Sequence, residues 1–193
     1  MSEQTAMSEA NALVTVIIAS YNHGPYIEES ILSVINQTYK NIELLVVDDG
    51  SKDDSVERIN ALQAQYGFDF RVQQNQGLTN TLNGAIARAK GSLIVPFGSD
   101  DVMYLDRIAT QVAYMDGKPE VGICAGNIEL MDADGKLYPE KRQRRDVPRI
   151  DEVRTGAGRA SAARRHVGHD RDLCGEDRLD HVAHGRVEPA GRV

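Results

Sequence analysis

Two pairs of adjacent aspartates stand where apolar runs end in this chain of 193 residues: Asp48-Asp49 in "IELLVVDDGS" and Asp100-Asp101 in "SLIVPFGSDD". Like charges at that spacing repel, so each pair costs free energy unless a cation or hydrogen-bond donors sit against it. Carboxylate oxygens are the hard ligands that Mg²⁺ or Mn²⁺ takes, with water and a diphosphate filling the remaining positions. A cation held that way neutralises charge developing on a departing diphosphate. A carboxylate at Asp48 or Asp49 can also accept from a base N–H or a ribose hydroxyl. The bland alternatives are a turn with a helix cap at Asp48-Asp49, and an N-cap with a solvated neighbour at Asp100-Asp101, before a helix starting near Tyr104.

The elements that would position these groups alternate. "LVTVIIAS" is apolar and β-branched, the pattern of a strand buried on both faces of a parallel sheet. Ile27, Ile31, Val34 and Ile35 then recur at helical spacing, with Glu28 and Glu29 in the first turn. "IELLVVDDG" predicts a second buried strand, and Val56, Ile59, Leu62 and Tyr66 the stripe of a second helix. "FDFRVQ" predicts a shorter strand, "LTNTLNGAIARAKG" a third helix closed by Gly91, and "SLIVPFG" a further strand. Tyr104, Ile108, Val112 and Met115 continue as a helix. "VGICAGNIEL" and "MDADGKLY" then predict a hairpin turning at Asp134-Gly135. Repeated strand–helix–strand units imply an α/β fold, a mostly parallel sheet with helices on both faces. In such sheets ligands sit at the carboxyl ends of the strands, where "ASYNHG", "DDGS" and "GSDD" all fall.

Several classes are excluded. The turn after the first strand has one glycine, so no GxGxxG fingerprint is present, and no glycine-rich run ends in Lys-Ser or Lys-Thr. Receiver domains open on the strand bearing the acidic pair, whereas here a strand and helix precede it. The formal net charge of −7 speaks against a nucleic-acid partner. Cys124 and Cys174 form no CxxC pair, which suggests a reducing compartment. No segment approaches the roughly 18 apolar residues of a membrane span. A cytoplasmic protein, at most peripheral to the inner face of a membrane, is expected.

Beyond Tyr138 the composition changes. All six lysines lie at or before Lys141, while residues 151–193 hold eight of the 16 arginines and four of the five histidines. That tail has no periodic apolar face and too little apolar surface to offset chain entropy. The expectation is a flexible start (1–11), one folded domain (12–138) and a basic linker with a disordered tail (139–193), whose composition suits a GC-rich sequence read out of frame. "EKRQRRDVPR" is most simply a solvated connector. Glu176-Asp177 and the cluster His166, His169, Cys174, His181, His184 lack the surrounding apolar residues that would hold a catalytic helix or a zinc site.

Taken together, "VTVIIASYN", "SVINQTYKNIELLVVDDGSKDDS", "NQGLTNTLNGAIARAKGSLIVPFGSDD" and "YLDRI" make residues 12 to about 138 resemble the nucleotide-binding half of family 2 glycosyltransferases, which have the Rossmann-like GT-A fold. The resemblance implies transfer of a sugar from a nucleotide-diphosphate donor, usually a UDP- or dTDP-sugar, to an acceptor hydroxyl with inversion, in polysaccharide or glycolipid assembly. It places Ala19 and Tyr21 in the base pocket, Asp49 on the base with Asp48 supporting its loop, Asp100 at the ribose, and Asp101 on a divalent metal, Mn²⁺ or Mg²⁺. Two departures stand out. Thr81-Leu82-Asn83 occupies the place of Ala-Arg-Asn in many relatives, removing an arginine. The general base that an inverting enzyme needs belongs to a C-terminal half that has no counterpart here, so the catalytic residue is unassigned. The alternative reading is therefore a nucleotide-binding remnant that holds donor and metal without turnover. The sugar and acceptor are unknown.

Overall fold

The run "VTVIIAS" forms strand β1 (Val14–Ser20), which is buried along nearly its whole length because it is paired on both edges and covered on both faces. The computed structural model describes residues 11–138 together with residues 165–167 and 182–186. After β1 come α1 (Gly24–Ile35), β2 (Ile42–Asp48), α2 (Ser55–Tyr66), β3 (Asp69–Val72), α3 (Leu78–Arg88), β4 (Leu93–Gly98), β5 (Val102–Met103), α4 (Arg107–Met115), β6 (Ile123–Cys124), β7 (Asn127–Met131), β8 (Arg165–Val167) and β9 (Val182–Arg186).

The main sheet has the order β3-β2-β1-β4-β8-β6, and every pair in it is parallel. The chain moves outward from β1 through β2 to β3, then returns across the sheet to place β4 on the other edge of β1. That reversal between β1 and β4 is the topological switch point, where the flanking loops part and leave a crevice. The expected mostly parallel α/β sheet with helices on both faces is what forms.

Side-chain alternation divides the core. Val16, Ile18, Val46, Val95 and Phe97 point to the face covered by α1, α2 and α4, meeting Ile27, Ile31, Ile59, Ile108 and Val112. Ile17, Leu45, Val47 and Ile94 point to the other face and meet Ala85, Ala89, Leu82 and Ile86 around α3. Each fully buried isoleucine stabilises the fold by roughly 1.5–3 kcal/mol relative to exposure.

Helix α1 also carries polar residues on its inward face, and these fix the segment that follows β4. Ser30 Oγ donates to Gly98 O at 2.8 Å, Ser33 Oγ accepts from Met103 N at 3.0 Å, and the fully buried Gln37 donates to Tyr104 O at 2.6 Å and accepts from Ile108 N at 3.1 Å. Burying three polar side chains costs free energy unless each finds a partner. Here the partners are the backbone groups around the second aspartate pair.

Several expectations are corrected. Gly91 does not cap α3, which ends at Arg88 with Ala89 extended. A Cβ on Gly91 would stand 2.6 Å from Leu13 O and 2.7 Å from Thr15 N, so its glycine serves a close approach to β1. The run from Val121 to Leu130 breaks at Ala125-Gly126 into β6 and β7, which belong to different sheets. The hairpin after β7 is reduced to one bridge, Met131 to Leu137, across a turn in which Gly135 has φ +80°. Glu28 and Glu29 lie beyond the first turn of α1, and Glu28 pairs with Arg58 of α2 at 3.1 Å. Two short stretches of the tail are described, Arg165–Val167 and Val182–Arg186, both as strands, and β9 pairs with β5 and β7 in a three-stranded sheet. The rest of the tail and residues 1–10 lie outside the described residues, as do the "EKRQRRDVPR" run, Glu176-Asp177, His169, Cys174 and His181. Among the described residues no helix is long and apolar enough to cross a membrane.

Candidate functional site

The carboxyl ends of β1, β2 and β4 are in register: Ser20 lies beside Asp48, and Ala19 lies between Val47 and Gly98. In-register neighbours of a parallel ladder point to the same side. Ala19 therefore faces the α3 side, together with the place where a Cβ on Gly98 would be. That place is occupied by the second aspartate pair: Asp101 Oδ2 would be 2.5 Å, and Asp100 Oδ1 3.1 Å, from a Cβ on Gly98. Only glycine lets both carboxylates fold back over the strand end.

The first pair separates across the sheet, because consecutive residues of an extended chain point to opposite faces. Asp48 is fully buried; its Oδ1 accepts from Gly50 N at 3.1 Å and Ser51 N at 2.8 Å, and its Oδ2 accepts from Ser51 Oγ at 2.6 Å. It builds the turn, with both oxygens turned inward. Asp49 points to the α3 side, where Oδ1 accepts from Gln73 Nε2 at 2.8 Å and Gln76 N at 3.0 Å, and Oδ2 from Gly77 N at 2.9 Å. Burial by itself raises the Asp49 carboxyl, but the hydrogen bonds from Gln73, Gln76, Gly77 and Thr81 outweigh it and hold it below the usual carboxylate value.

The two loops at the rim are laced together. Asn22, in the left-handed region at φ +54°, accepts from Lys52 N through its side chain and donates its backbone N–H to Ser51 Oγ. Asp53 accepts from Gly24 N at 2.9 Å and from both donors of Ser55, whose Oγ in turn accepts from His23 N. His23 shares a 2.6 Å hydrogen bond between its Nδ1 and the buried Ser99 Oγ. The first loop is thereby tied to the loop carrying Asp100 and Asp101. Tyr21 stands at the same rim with 46% of its surface exposed.

Burial first, and then the charge of Asp100, push the Asp101 carboxyl up to about 6, against the pull of Arg107 and a hydrogen bond from the Gly98 backbone. Arg107 is 1% exposed, lies with its guanidinium carbon 5.7 Å from the Phe97 ring centre, and has neither Nη1 nor Nη2 hydrogen-bonded. Desolvation brings it down to about 10 despite Asp101 and Cys124. Two converging carboxylates that resist joint ionisation are a fit for a divalent cation, though among the described residues no three potential ligands cluster. The remaining ligands would come from diphosphate and water.

The turn reading holds for Asp48, and the capping alternative falls away at Asp100-Asp101. Helix α4 begins at Arg107 with Asp106 as its N-cap, so neither Asp100 nor Asp101 caps it. A cavity of about 560 Å³ lies at the opposite end of the sheet, lined by Tyr39, Ile42, Glu43, Tyr66 and Asp69 at the amino ends of β2 and β3, away from all these groups. Sequence reasoning missed Gln73, Asp53 and Arg107. Gln73 follows the last residue of β3, so the rule that strand ends carry function marks it; Asp53 and Arg107 lie in the "SKDDS" and "YLDRI" stretches of the resemblance, which assigned them no role.

Residues 15–166 match the family described as glycosyl transferase family 2. An uncharacterised glycosyltransferase of Haemophilus influenzae is 35% identical over 128 residues, 64% of this chain and 50% of the relative. Glycosyltransferase GlyG of Streptococcus pneumoniae is 36% identical over 132 residues, 65% of this chain and 42% of the relative. A Rickettsia bellii relative, 35% identical, is covered over 20% of its length, so the chain spans between a fifth and a half of these relatives. Among solved structures, a mannosyltransferase of Pyrobaculum calidifontis in complex with GDP-Man and Mn²⁺ superposes with a TM-score of 0.55 at 26% identity, over 59% of this chain and 35% of that one. Staphylococcus aureus TarS residues 1–349 in complex with UDP-GlcNAc superposes with a TM-score of 0.52 at 22% identity, over 66% of this chain and 37% of that one, a likeness of fold. With the family match running through every strand end that bears an acidic pair, this chain belongs to glycosyl transferase family 2 and has a GT-A-type α/β fold.

Proposed function

We propose that this chain is the nucleotide-sugar half of an inverting glycosyltransferase that moves a sugar from a nucleotide-diphosphate donor to an acceptor hydroxyl. The observation that carries this reading is the gathering of Ala19, Asp49, Asp100 and Asp101 on one side of the sheet at its switch point. In this reading the exposed ring of Tyr21 lies against the base and Ala19 leaves room for it. Asp100 accepts from a ribose hydroxyl, Asp48 holds the turn, and Asp101 ligates a divalent cation. Such an ion, Mn²⁺ or Mg²⁺, would neutralise the diphosphate and assist its departure as a Lewis acid. The Mn²⁺ present with the Pyrobaculum relative supports that role.

Inversion requires one displacement: the acceptor oxygen bonds the anomeric carbon as the diphosphate leaves, and a general base takes the hydroxyl proton. That base remains unassigned among the described residues. The second reading, a module that holds donor without turnover, stands beside it because none of the described residues is assigned as that base. Calorimetric titration of the full chain with UDP and with GDP, each with and without Mn²⁺, tests both. Binding that needs Mn²⁺ and disappears in Asp101→Ala is expected, and its absence sinks the two readings together. Release of nucleoside diphosphate from UDP-GlcNAc above the buffer rate then separates enzyme from holder.

A further inference from the structure

His23 is the N-cap of α1, yet its side chain makes no cap hydrogen bond. The amides that such a side chain normally serves are already provided for. Gly24 N donates to Asp53 Oδ2, Pro25 has no N–H, and Tyr26 N and Ile27 N both donate to the backbone carbonyl of His23 at 2.9 Å. The ring is therefore free of local duty, and it is turned instead toward a residue 76 positions away, sharing the 2.6 Å hydrogen bond with Ser99 Oγ.

That bond crosses the switch point. His23 lies in the loop after β1 and Ser99 directly follows β4, the two strands between which the sheet order reverses. Ser30 Oγ holds Gly98 O and Ser33 Oγ holds Met103 N, so α1 anchors both ends of the turn that carries the second aspartate pair. Between those anchors Asp101 N donates to Gly98 O within the turn itself. Among the described residues, the bond from His23 is the hydrogen bond that ties residues 99–101 to another element. It reaches Ser99 from the α1 side, while the carboxylates of Asp100 and Asp101 fold back over Gly98 toward the α3 side. Adjacent carboxylates repel, and a turn braced only at its ends can relax by letting them splay.

Resting on the nucleotide-sugar reading above, we infer that His23 is a positioning residue: through Ser99 it braces the turn from behind and keeps Asp100 and Asp101 converged where a cation can be held. Part of the cost of bringing the two charges together is thereby met by the fold before the ion arrives.

The test titrates Mn²⁺ into the full chain at a fixed level of UDP or GDP, whichever wild type binds more tightly, and repeats it in four variants. His23→Phe keeps a ring without the bond, His23→Asn places an amide atom where Nδ1 stands, and Ser99→Ala removes the bond from the other side with a smaller change. The fourth is the double variant His23→Phe/Ser99→Ala. His23→Phe and Ser99→Ala should each need about tenfold more Mn²⁺ for half-saturation. The double variant should need no more than either single one, because both remove the same bond, and His23→Asn should stay within about twofold of wild type. Wild-type Mn²⁺ dependence in His23→Phe and Ser99→Ala, additive losses in the double variant, or a loss in His23→Asn as large as in His23→Phe overturns the assignment while leaving the nucleotide-sugar reading intact. Failure of wild type to bind either nucleotide overturns both.

Discussion

Ala19 of β1 lies in register with Gly98 of β4, and the space a Cβ would take on Gly98 holds the oxygens of Asp100 and Asp101. Gly98→Ala puts a methyl group 2.5 Å from Asp101 Oδ2, so the carboxylates must swing away from the crevice. The obstacle is side chain rather than backbone, and the fold should persist. Circular dichroism should be unchanged, while Mn²⁺-dependent UDP binding falls by roughly tenfold or more. Undiminished affinity would remove these carboxylates from the site.

Asp101→Asn should stabilise the metal-free protein. The folded carboxyl titrates at about 6, above its unfolded value, so the native state holds a proton more tightly than the unfolded chain does. Stability from this group is complete at low pH and is lost as pH rises through the folded value. Urea unfolding should show the variant more stable by about 1–3 kcal/mol at pH 7.5 and equal to wild type near pH 4. The same substitution should abolish the Mn²⁺ dependence of nucleotide binding.

Arg107→Met exchanges a buried guanidinium with two unpaired nitrogens for an apolar side chain of similar length. Replacing such a charge is commonly neutral or favourable, so unfolding free energy should hold or rise by about 1–2 kcal/mol. Asp101 loses the cation that draws it down, and Mn²⁺-dependent binding should need a higher pH. A loss beyond about 3 kcal/mol would mean that the guanidinium is better paired than its surroundings indicate.

Asp53→Ala removes the acceptor for Gly24 N and for both donors of Ser55, loosening the first loop from the second. A cost of about 1–3 kcal/mol is expected in urea unfolding at pH 7. Asp53, like Asp49 and Glu43, has its carboxyl below the ordinary value: burial raises each, and hydrogen bonds outweigh it. Stability from such groups is present above the unfolded carboxylate range and is lost as pH falls below about 4. The acid limb of the stability curve should therefore be shallower in Asp53→Ala than in wild type.

The sequence by itself determined the alternating elements, the parallel sheet and the strand ends that carry the acidic pairs. These follow from local periodicity: runs such as "VTVIIAS" and "IELLVVD" can only be buried strands, and Ile27, Ile31 and Val34 can only pack one helix face. It also determined that the pairs needed relief, because the repulsion of neighbouring carboxylates is a local fact.

What each aspartate does was decided only by the tertiary structure. Asp48 and Asp49 are alike as residues, yet alternation sends one into a buried turn and the other onto the loop from Gln73 to Gly77. Gln73 and Asp49 are 24 residues apart, and Arg107 meets Phe97 only because α4 packs on β4. Such partnerships depend on which loops the switch point brings together, and no period or spacing along the chain encodes that distance.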